Sequence, residues 1–192
     1  TALPLFVWMG EILFRTKLSE NLFKGLSPWM QKLPGGLIHV NVVGCALFAA
    51  ISGSSAATVA TVGKMSIPEL RKRNYPEKIL LGSLAGSGTL GLLIPPSIIL
   101  IIYGVAVQES IAKLFIAGII PGIMIALIFM SYVIIWSLIN KKSMPKIIEE
   151  YSFFEKIKRS KQLLPVIILI LAVIGSIYTG IATATEAASL GV

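Results

Sequence analysis

Small hydroxyl-bearing residues and glycines gather at two places inside long apolar stretches of this 192-residue chain. The first is SGSSAAT at 52–58, within the apolar segment 37–63. The second is TLGLLIPPS at 89–97, within the apolar segment 82–104. Glycine permits a turn, and proline supplies no N–H and displaces the carbonyl of the preceding turn, so both places predict a broken helix. Backbone groups freed by such a break are costly inside a membrane unless they line a site.

The two breaks offer oxygen atoms and half-helix ends rather than acid–base groups. Carbonyls and hydroxyls suit a hard cation such as Na⁺, and the N-terminus of a half-helix suits an anionic group. Ser97 is predicted to cap the half-helix after the second break, and the carbonyls of 91–93 are predicted to be free. Harmless kinks are the alternative interpretation. Two breaks that both carry Ser, Thr and Gly favour a transporter's binding site.

Residue types for the common catalytic chemistries are scarce. The chain has no Asp, and His39 and Cys45 are the only residues of their types, so the sequence predicts no intrachain disulfide and no cysteine-based metal site. The stretch 86–91 matches the dinucleotide pattern G-x-G-x-x-G, but that pattern needs a preceding strand and a βαβ unit. No Walker A sequence occurs either. We therefore expect no enzyme and no organic cofactor.

Composition indicates an all-α integral membrane protein. The chain is 55% hydrophobic and 14% charged, whereas a soluble domain carries about 25% charged residues. Its net charge of +8 comes from cations that cluster between apolar spans without interleaved aromatics. That pattern indicates membrane topology rather than nucleic-acid binding. Because the chain starts with Thr1 and stops within an apolar pattern, we expect it to be a piece of a larger membrane protein.

The hairpin prediction rests on arm length and flanking charge. The arms of 37–63 hold about 15 and nine residues, fewer than the roughly 20 that cross a bilayer. The flanking segments 15–32 and 64–78 are both cationic, and cationic loops stay cytoplasmic. A re-entrant hairpin places both on one side, with residues 52–55 near the midplane, whereas a full span would force one outside.

The resulting organisation is that of polytopic helices around a re-entrant hairpin and a broken transmembrane helix. The predicted parts are 1–36, the end of a span plus an interfacial amphipathic helix at 18–33; 37–109, a transport-type segment with the hairpin at 37–66 and the broken helix at 79–108; and 110–192, scaffold-type membrane helices with a cytoplasmic loop at 141–161.

Long motifs add a family resemblance. Residues 33–70 (LPGGLIHVNVVGCALFAAISGSSAATVATVGKMSIPEL), 91–122 (GLLIPPSIILIIYGVAVQESIAKLFIAGIIPG) and the later ATATEAA resemble the large membrane subunit of TRAP (tripartite ATP-independent periplasmic) transporters. The resemblance runs from about residue 4 to 192. It implies one inverted repeat of an elevator-type transporter in the bacterial or archaeal cytoplasmic (inner) membrane. It also implies Na⁺-driven import of carboxylated solutes such as C4-dicarboxylates, sialic acids or keto acids.

The resemblance further implies partners and site residues. The partners are a small membrane subunit and an extracytoplasmic solute-binding protein. The implied Na⁺ contacts are Ser52, Gly53, Ser54, Thr89, Gly91 and Ser97. The implied substrate contacts are Ser54, Ser55, Ala56, Thr58, Pro96 and Ser97, and Pro95 also matches the family's broken helix.

Other functions stay open at this point. One is an ion-coupled transporter or antiporter that works without a binding protein. Another is a structural membrane subunit with no transport site. Since the family's large subunit is about twice as long and only one repeat is visible, we expect that this chain alone does not transport.

Overall fold

The bundle is all-helical throughout the part of the chain that the structure describes. This computed structural model describes residues 2–16, 18–145 and 151–190, and those ranges contain no strand. The helices are α1 Ala2–Arg15, α2 Leu18–Met30, α3 His39–Ser52, α4 Ser55–Lys72, α5 Glu77–Gly88, α6 Ile98–Val107, α7 Ile111–Ile139, α8 Phe153–Ser160, α9 Leu164–Tyr178 and α10 Ala184–Leu190. Short 3₁₀ turns lie at Gly36–Ile38, Thr89–Leu92, Lys141–Ser143 and Lys161–Leu163. The predicted all-α class is confirmed for these residues.

The core forms where α3, α4 and α5 pack against one another. Phe48, Val62 and Leu80 are all buried there. The side chains of α3 itself are mostly apolar or small on every face of the helix. This pattern is typical of a helix enclosed by other helices rather than one lying on a surface. The helix–turn–helix shape of the predicted hairpin is therefore present, with α3 and α4 as its arms.

The second hairpin arm is longer than the sequence predicts. α4 continues through Pro68 to Lys72, so most of the cationic stretch after residue 63 is helical rather than loop. Leu70, fully buried, anchors this last part in the core. At about 1.5 Å per residue an 18-residue helix is about 27 Å long. The prediction of a nine-residue arm was wrong because its limit came from the end of the apolar pattern.

Within the described residues, two helices are long and apolar enough to cross a membrane: Ile111–Ile139, and the continuous helix Phe153–Tyr178 that includes α8 and α9. Many of their side chains face outward, and Ile120 is 77% exposed. Apolar surface on this scale cannot remain in water, so these helices are consistent with a membrane protein. One of them is α7, a long apolar helix within the predicted part 110–192, and it passes Pro121 without ending.

The predicted loop 141–161 is wrong in part, because it contains α8. Lys146 and the rest of 146–150 lie outside the described residues. The backbone N–H of Ser152 donates to Glu155 at 2.9 Å and fixes the start of α8. α8 then packs on α2, where Trp29 Nε1 donates to Ser160 Oγ at 2.9 Å. α2 in turn packs on both arms of the hairpin, α3 and α4.

Candidate functional site

The hairpin tip is a two-residue turn between α3 and α4. Gly53 has φ 60° and ψ 9°, the left-handed conformation that glycine adopts without steric cost. Its N–H donates to the Ala49 carbonyl at 3.0 Å and ends α3. Ser54 then occupies the N-cap of α4, where its Oγ accepts the Ala57 N–H at 3.4 Å. The break that the sequence predicts within 52–58 is present, and Ser54 caps the helix that follows it.

Hydroxyl groups connect the two sides of this turn. Ser52 Oγ and Thr58 Oγ1 lie 3.0 Å apart, and both residues are buried. Thr58 Oγ1 also donates to the Ser54 carbonyl at 2.7 Å. The hydroxyl of Ser55 is buried as well, and it has no hydrogen-bond partner among the described residues. A buried hydroxyl without a partner is costly, so Ser55 Oγ is a candidate ligand-binding group.

The second break separates α5 from α6. A 3₁₀ turn at Thr89–Leu92 follows α5, and the chain then runs through Pro95 and Pro96 to Ser97. Ser97 stands at the N-cap position of α6 without making a side-chain cap. Its hydroxyl instead donates to the Leu92 carbonyl at 2.7 Å. The predicted Ser97 cap was therefore wrong, and so was the prediction that the Leu92 carbonyl is free, because the break places that carbonyl against the hydroxyl.

The hairpin tip and the helix break meet at a close backbone crossing. The N–H of Ile98, the first residue of α6, donates to the Gly53 carbonyl at 3.2 Å. A β-carbon on Gly53 would lie 2.5 Å from the Pro96 carbonyl oxygen. A β-carbon on Gly91 would lie 2.8 Å from the Ser55 nitrogen. Only glycine permits this approach on both sides, so the two predicted breaks are in direct contact.

The crossing concentrates helix ends of both polarities. The N-termini of α4 and α6 carry partial positive charge, whereas the C-terminus of α3 and the end of the 3₁₀ turn at Thr89–Leu92 carry partial negative charge. The residue types predicted for the site bear no formal charge. The electrostatic field there arises from the backbone and the hydroxyl groups. Such an arrangement can bind a cation at carbonyl oxygens and an acid group at helix N-termini.

Most of the predicted site residues lie at this crossing. Those that the structure brings together are Ser52, Gly53, Ser54, Ser55, Thr58, Gly91, Pro96 and Ser97. The two others are exposed: Ala56 on the first turn of α4, and Thr89, whose hydroxyl donates to the Gly86 carbonyl at 2.7 Å.

A buried polar cluster between α3 and α5 was missed by the sequence analysis. Asn41 Nδ2 donates to Ser83 Oγ at 3.0 Å and to the Leu80 carbonyl at 3.2 Å. Ser87 lies one turn further along α5 and is also buried. The Oδ1 of Asn41 is buried and has no hydrogen-bond partner in the part of the chain that the structure describes. The sequence signals for this cluster are an amide residue within the apolar stretch VNVV and two serines spaced four apart.

Comparison with known proteins identifies the chain's relatives. The model of one family, described as the tripartite ATP-independent periplasmic transporter, DctM component, matches residues 1–192. The C4-dicarboxylate TRAP transporter large permease protein DctM of Pseudomonas aeruginosa is 36% identical over 190 residues, which cover 98% of this chain and 44% of that protein. These matches extend over nearly the whole chain, including both breaks.

Relatives named for other solutes are equally similar. The isethionate TRAP transporter permease protein DctMQ of Oleidesulfovibrio alaskensis is 36% identical over 192 residues, 98% of this chain and 29% of that protein. The sialic acid TRAP transporter permease protein SiaT of Haemophilus influenzae is 35% identical over 188 residues, 97% of this chain and 30% of that protein. The chain spans less than half the length of these relatives, and all three are named as permeases rather than enzymes.

Proposed function

Because the chain belongs to the DctM-component family of tripartite ATP-independent periplasmic transporters, we propose that its hairpin and broken helix form half of the site of a Na⁺-coupled importer. The observation that supports this best is the crossing itself, where the Ile98 N–H donates to the Gly53 carbonyl at 3.2 Å. A second repeat supplies the other half. The re-entrant placement of the hairpin, elevator-type movement and a multi-pass location in the bacterial or archaeal inner membrane belong to the same proposal.

The coupling Na⁺ binds at the oxygen-rich side of the crossing. Hydroxyl oxygens of Ser52 and Ser54 and backbone carbonyls at the break are hard ligands, which match a hard cation. The C-terminal end of α3 adds partial negative charge at the same place. The proposed contacts at the crossing are Ser52, Gly53, Ser54, Gly91 and Ser97, and the family resemblance adds Thr89, which lies outside it. Na⁺ is here a transported coupling ion, so its site must release it as readily as it binds it.

The solute binds by its acid group at the N-termini of α4 and α6. The unpartnered hydroxyl of Ser55 lies in the first turn of α4 and can donate to such a group. The relatives described above are named for a C4-dicarboxylate, a sialic acid and isethionate, which all carry an acid group. We propose a carboxylate such as a C4-dicarboxylate, sialic acid or keto acid. The proposed contacts are Ser54, Ser55, Ala56, Thr58, Pro96 and Ser97.

Two partners complete the proposed transporter. A small membrane subunit braces the permease, and an extracytoplasmic solute-binding protein delivers the solute. The N-termini of α4 and α6 form only one wall of the site, so these residues by themselves do not catalyse uptake. Reconstitution of residues 1–192 alone should give no Na⁺-dependent uptake, and measurable uptake would contradict the division of the site between two repeats.

The test uses the complete polypeptide with its partner subunit in proteoliposomes, supplied with binding protein and solute. Ser54→Ala and Ser97→Ala should each raise the Na⁺ concentration for half-maximal uptake by about tenfold, because each removes an oxygen from a charged ligand. Ser55→Ala should instead raise the half-saturating solute concentration. Ser131→Ala is the matched control, since its hydroxyl donates to the Leu127 carbonyl on α7, outside the crossing.

The outcomes separate transport from a packing role. Changed Na⁺ dependence in the crossing variants, with Ser131→Ala unchanged, supports the proposed site. Unchanged Na⁺ and solute dependence in all three crossing variants would indicate a structural crossing and would overturn the proposal. Uptake that needs no binding protein would identify a different class of ion-coupled transporter.

A further inference from the structure

α7 runs alongside both halves of the broken helix. Near its start it lies against α6, where a β-carbon added to Gly104 would be 3.0 Å from Leu114 Cδ1. Further along it lies against α5, where a β-carbon added to Gly86 would be 3.2 Å from Phe129 Cε1. α7 is one continuous helix of 29 residues, which corresponds to about 43 Å. A single helix therefore contacts both half-helices across the break.

Two buried glycines of α7 face the break itself. A β-carbon on Gly118 would lie 2.7 Å from the carbonyl oxygen of Leu93, the residue that follows the 3₁₀ turn at Thr89–Leu92. One turn later, a β-carbon on Gly122 would lie 2.9 Å from Ile94 Cγ1. Small residues let membrane helices approach closely, and here the partner of Gly118 is the non-helical backbone of the break. α7 therefore lies as near to the break as glycine alone permits.

The two glycines differ in the atom that each one meets. Opposite Gly118 the nearest atom is a backbone oxygen. Opposite Gly122 it is a side-chain carbon of Ile94, whose backbone is 3.7 Å away. A side chain can change its rotamer, whereas a carbonyl oxygen moves only with its planar peptide group. A methyl group at position 118 would displace the break, and one at position 122 would mainly displace a side chain.

Hydrogen bonds connect Leu93 to the 3₁₀ turn that precedes it. The N–H groups of Leu93 and Ile94 both donate to the Leu90 carbonyl, at 3.0 Å and 2.8 Å. Gly91 lies in the same turn and faces the start of α4, where its added β-carbon would be 2.8 Å from the Ser55 nitrogen. A displacement of Leu93 is therefore transmitted to the Gly91 backbone and to its contact with the hairpin tip.

The same hydrogen-bonded unit holds the hydroxyl of Ser97. The Leu92 carbonyl accepts that hydroxyl at 2.7 Å, and Leu92 is joined directly to Leu93. Ser97 and Gly91 are both among the residues proposed to contact Na⁺. Groups behind the ligands of an ion orient those ligands and change the affinity of the site. Gly118 has this relation to Ser97 and Gly91, because it limits where the peptide between them can lie.

We propose that Gly118 is a positioning residue of the Na⁺ site. Because it has no side chain, α7 can approach the Leu93 carbonyl closely, and this contact sets the positions of Gly91 and Ser97. The inference rests on the proposed function, since it takes the crossing to be where Na⁺ binds. α7, which the sequence analysis placed in the scaffold-type part 110–192, thereby takes part in the site.

The test uses the complete polypeptide with its partner subunit in proteoliposomes, supplied with binding protein and solute. Three variants each add one methyl group: Gly118→Ala at the break, Gly122→Ala one turn away, and Gly175→Ala on α9, where nothing lies within 4 Å of the added β-carbon. Thermal unfolding and the Na⁺ concentration for half-maximal uptake are measured for each variant. Ser54→Ala is measured in parallel, as a direct change at the site.

Gly118→Ala should raise the Na⁺ concentration for half-maximal uptake by about fivefold, the equivalent of one weakened hydrogen bond. Gly122→Ala should also lower the unfolding temperature, because it overpacks the same face of α7. It should shift the Na⁺ requirement by about twofold or less, since a side chain can move aside. Gly175→Ala should change neither quantity. The comparison of the two α7 variants thus separates positioning from packing.

A double variant distinguishes a displaced backbone from crowded side chains. Besides the carbonyl oxygen, the added carbon of Gly118→Ala would lie 3.1 Å from Leu100 Cδ1. Gly118→Ala/Leu100→Ala removes that side-chain contact but keeps the contact with the Leu93 oxygen. The raised Na⁺ requirement should therefore persist in the double variant. A return to the wild-type value would show that side-chain crowding caused the shift, and would overturn the proposal.

A measurement on the unmodified protein makes the test independent of how any variant folds. Na⁺ should slow hydrogen exchange at the break, residues 90–94, and also in the α7 segment 115–122 that packs on it, because both become more rigid together. The segment 168–176 of α9 should exchange at the same rate with and without Na⁺. Protection of the break without protection of the α7 segment would contradict a positioning role for α7.

The remaining outcomes separate this proposal from the proposed function. Equal shifts in Gly118→Ala and Gly122→Ala would indicate a general packing effect and would overturn the positioning role. A shift in Ser54→Ala without one in Gly118→Ala would overturn it as well, while the Na⁺ site itself would stand. Unchanged Na⁺ dependence in both Ser54→Ala and Gly118→Ala would overturn the Na⁺ site and the positioning role together.

Discussion

The electrostatic field has a different origin at each end of the hairpin. At the tip, the field comes from helix ends and hydroxyls, and two glycines let the backbones of 52–55 and 91–98 touch. At the base, five cationic side chains surround an open cavity of about 700 Å³. The tip depends on the distance between backbones, whereas the base depends on side-chain charge. Substitutions that add volume should therefore damage the tip, and substitutions that remove charge should damage the base.

The largest expected effect is that of Gly53→Ala. The new β-carbon would meet the Pro96 oxygen at 2.5 Å, and Gly53 already has positive φ. Left-handed strain costs about 1 kcal/mol and overpacking about 1–3 kcal/mol, so we expect a loss of about 2–4 kcal/mol in stability and loss of uptake. Thermal unfolding and uptake in proteoliposomes measure both. Gly82→Ala is the control, because nothing lies within 4 Å of its added β-carbon. Equal behaviour of the two variants would refute a close-packed tip.

Asn41→Ala should have the next largest effect. It removes the donor to Ser83 Oγ and to the Leu80 carbonyl within the core. Interhelical hydrogen bonds in membrane proteins contribute about 0.6–2 kcal/mol, so we expect a loss of about 1 kcal/mol, with Na⁺ dependence unchanged. Denaturant or thermal unfolding measures the loss. Ser176→Ala is a control on α9, where the hydroxyl bonds only its own helix at the Val173 carbonyl. If Asn41→Ala changed the Na⁺ dependence of uptake, we would infer that the Na⁺ site extends beyond the tip to Asn41.

Trp29→Phe should have the smallest effect, and it concerns the covering layer of the hairpin base. The substitution removes the hydrogen bond to Ser160 Oγ but keeps an aromatic ring beneath Lys156 Nζ, which lies 5.4 Å from the Trp29 ring. We expect a loss of about 0.5–1 kcal/mol. Trp8→Phe is the control, because Trp8 is 59% exposed. In thermal unfolding, Trp29→Phe should therefore be less stable than Trp8→Phe. An equal change in both variants would mean that the hydrogen bond to Ser160 does not stabilise the protein.

Much of the site was predictable because breaks have local causes. Gly53 in a polar interruption and Pro95-Pro96 in an apolar run predict non-helical backbone from the chemistry of each residue alone. The family was also predictable from the long motifs around those breaks, and the comparisons confirm it. Ser97 was placed correctly at the start of α6, but its hydrogen-bond partner was not. Whether the Ser97 hydroxyl caps α6 or donates to the Leu92 carbonyl depends on how the backbone runs between Leu92 and Ser97.

The errors in the predicted ends of helices have a common physical origin. The end of α4 was placed where apolar residues give way to cations, yet burial of Leu70 continues the helix to Lys72. Likewise, α8 lies within residues 141–161, which were predicted to be a loop because they are rich in cations. A charged helix is stable when one face packs on a neighbour, as α8 does on α2. Hydropathy therefore locates apolar segments better than it locates helix ends.

The amino-acid sequence by itself determined the all-helical class, the two breaks, the residues that carry their oxygens and the family of the chain. These follow from local rules of glycine, proline and apolar periodicity, which act over a few residues. The tertiary structure alone decided that Gly53 and Gly91 lie at one crossing, that Asn41 reaches Ser83, and that cations from distant helices surround one cavity. Contacts between segments far apart in the chain depend on how whole helices pack, and no local pattern encodes those distances.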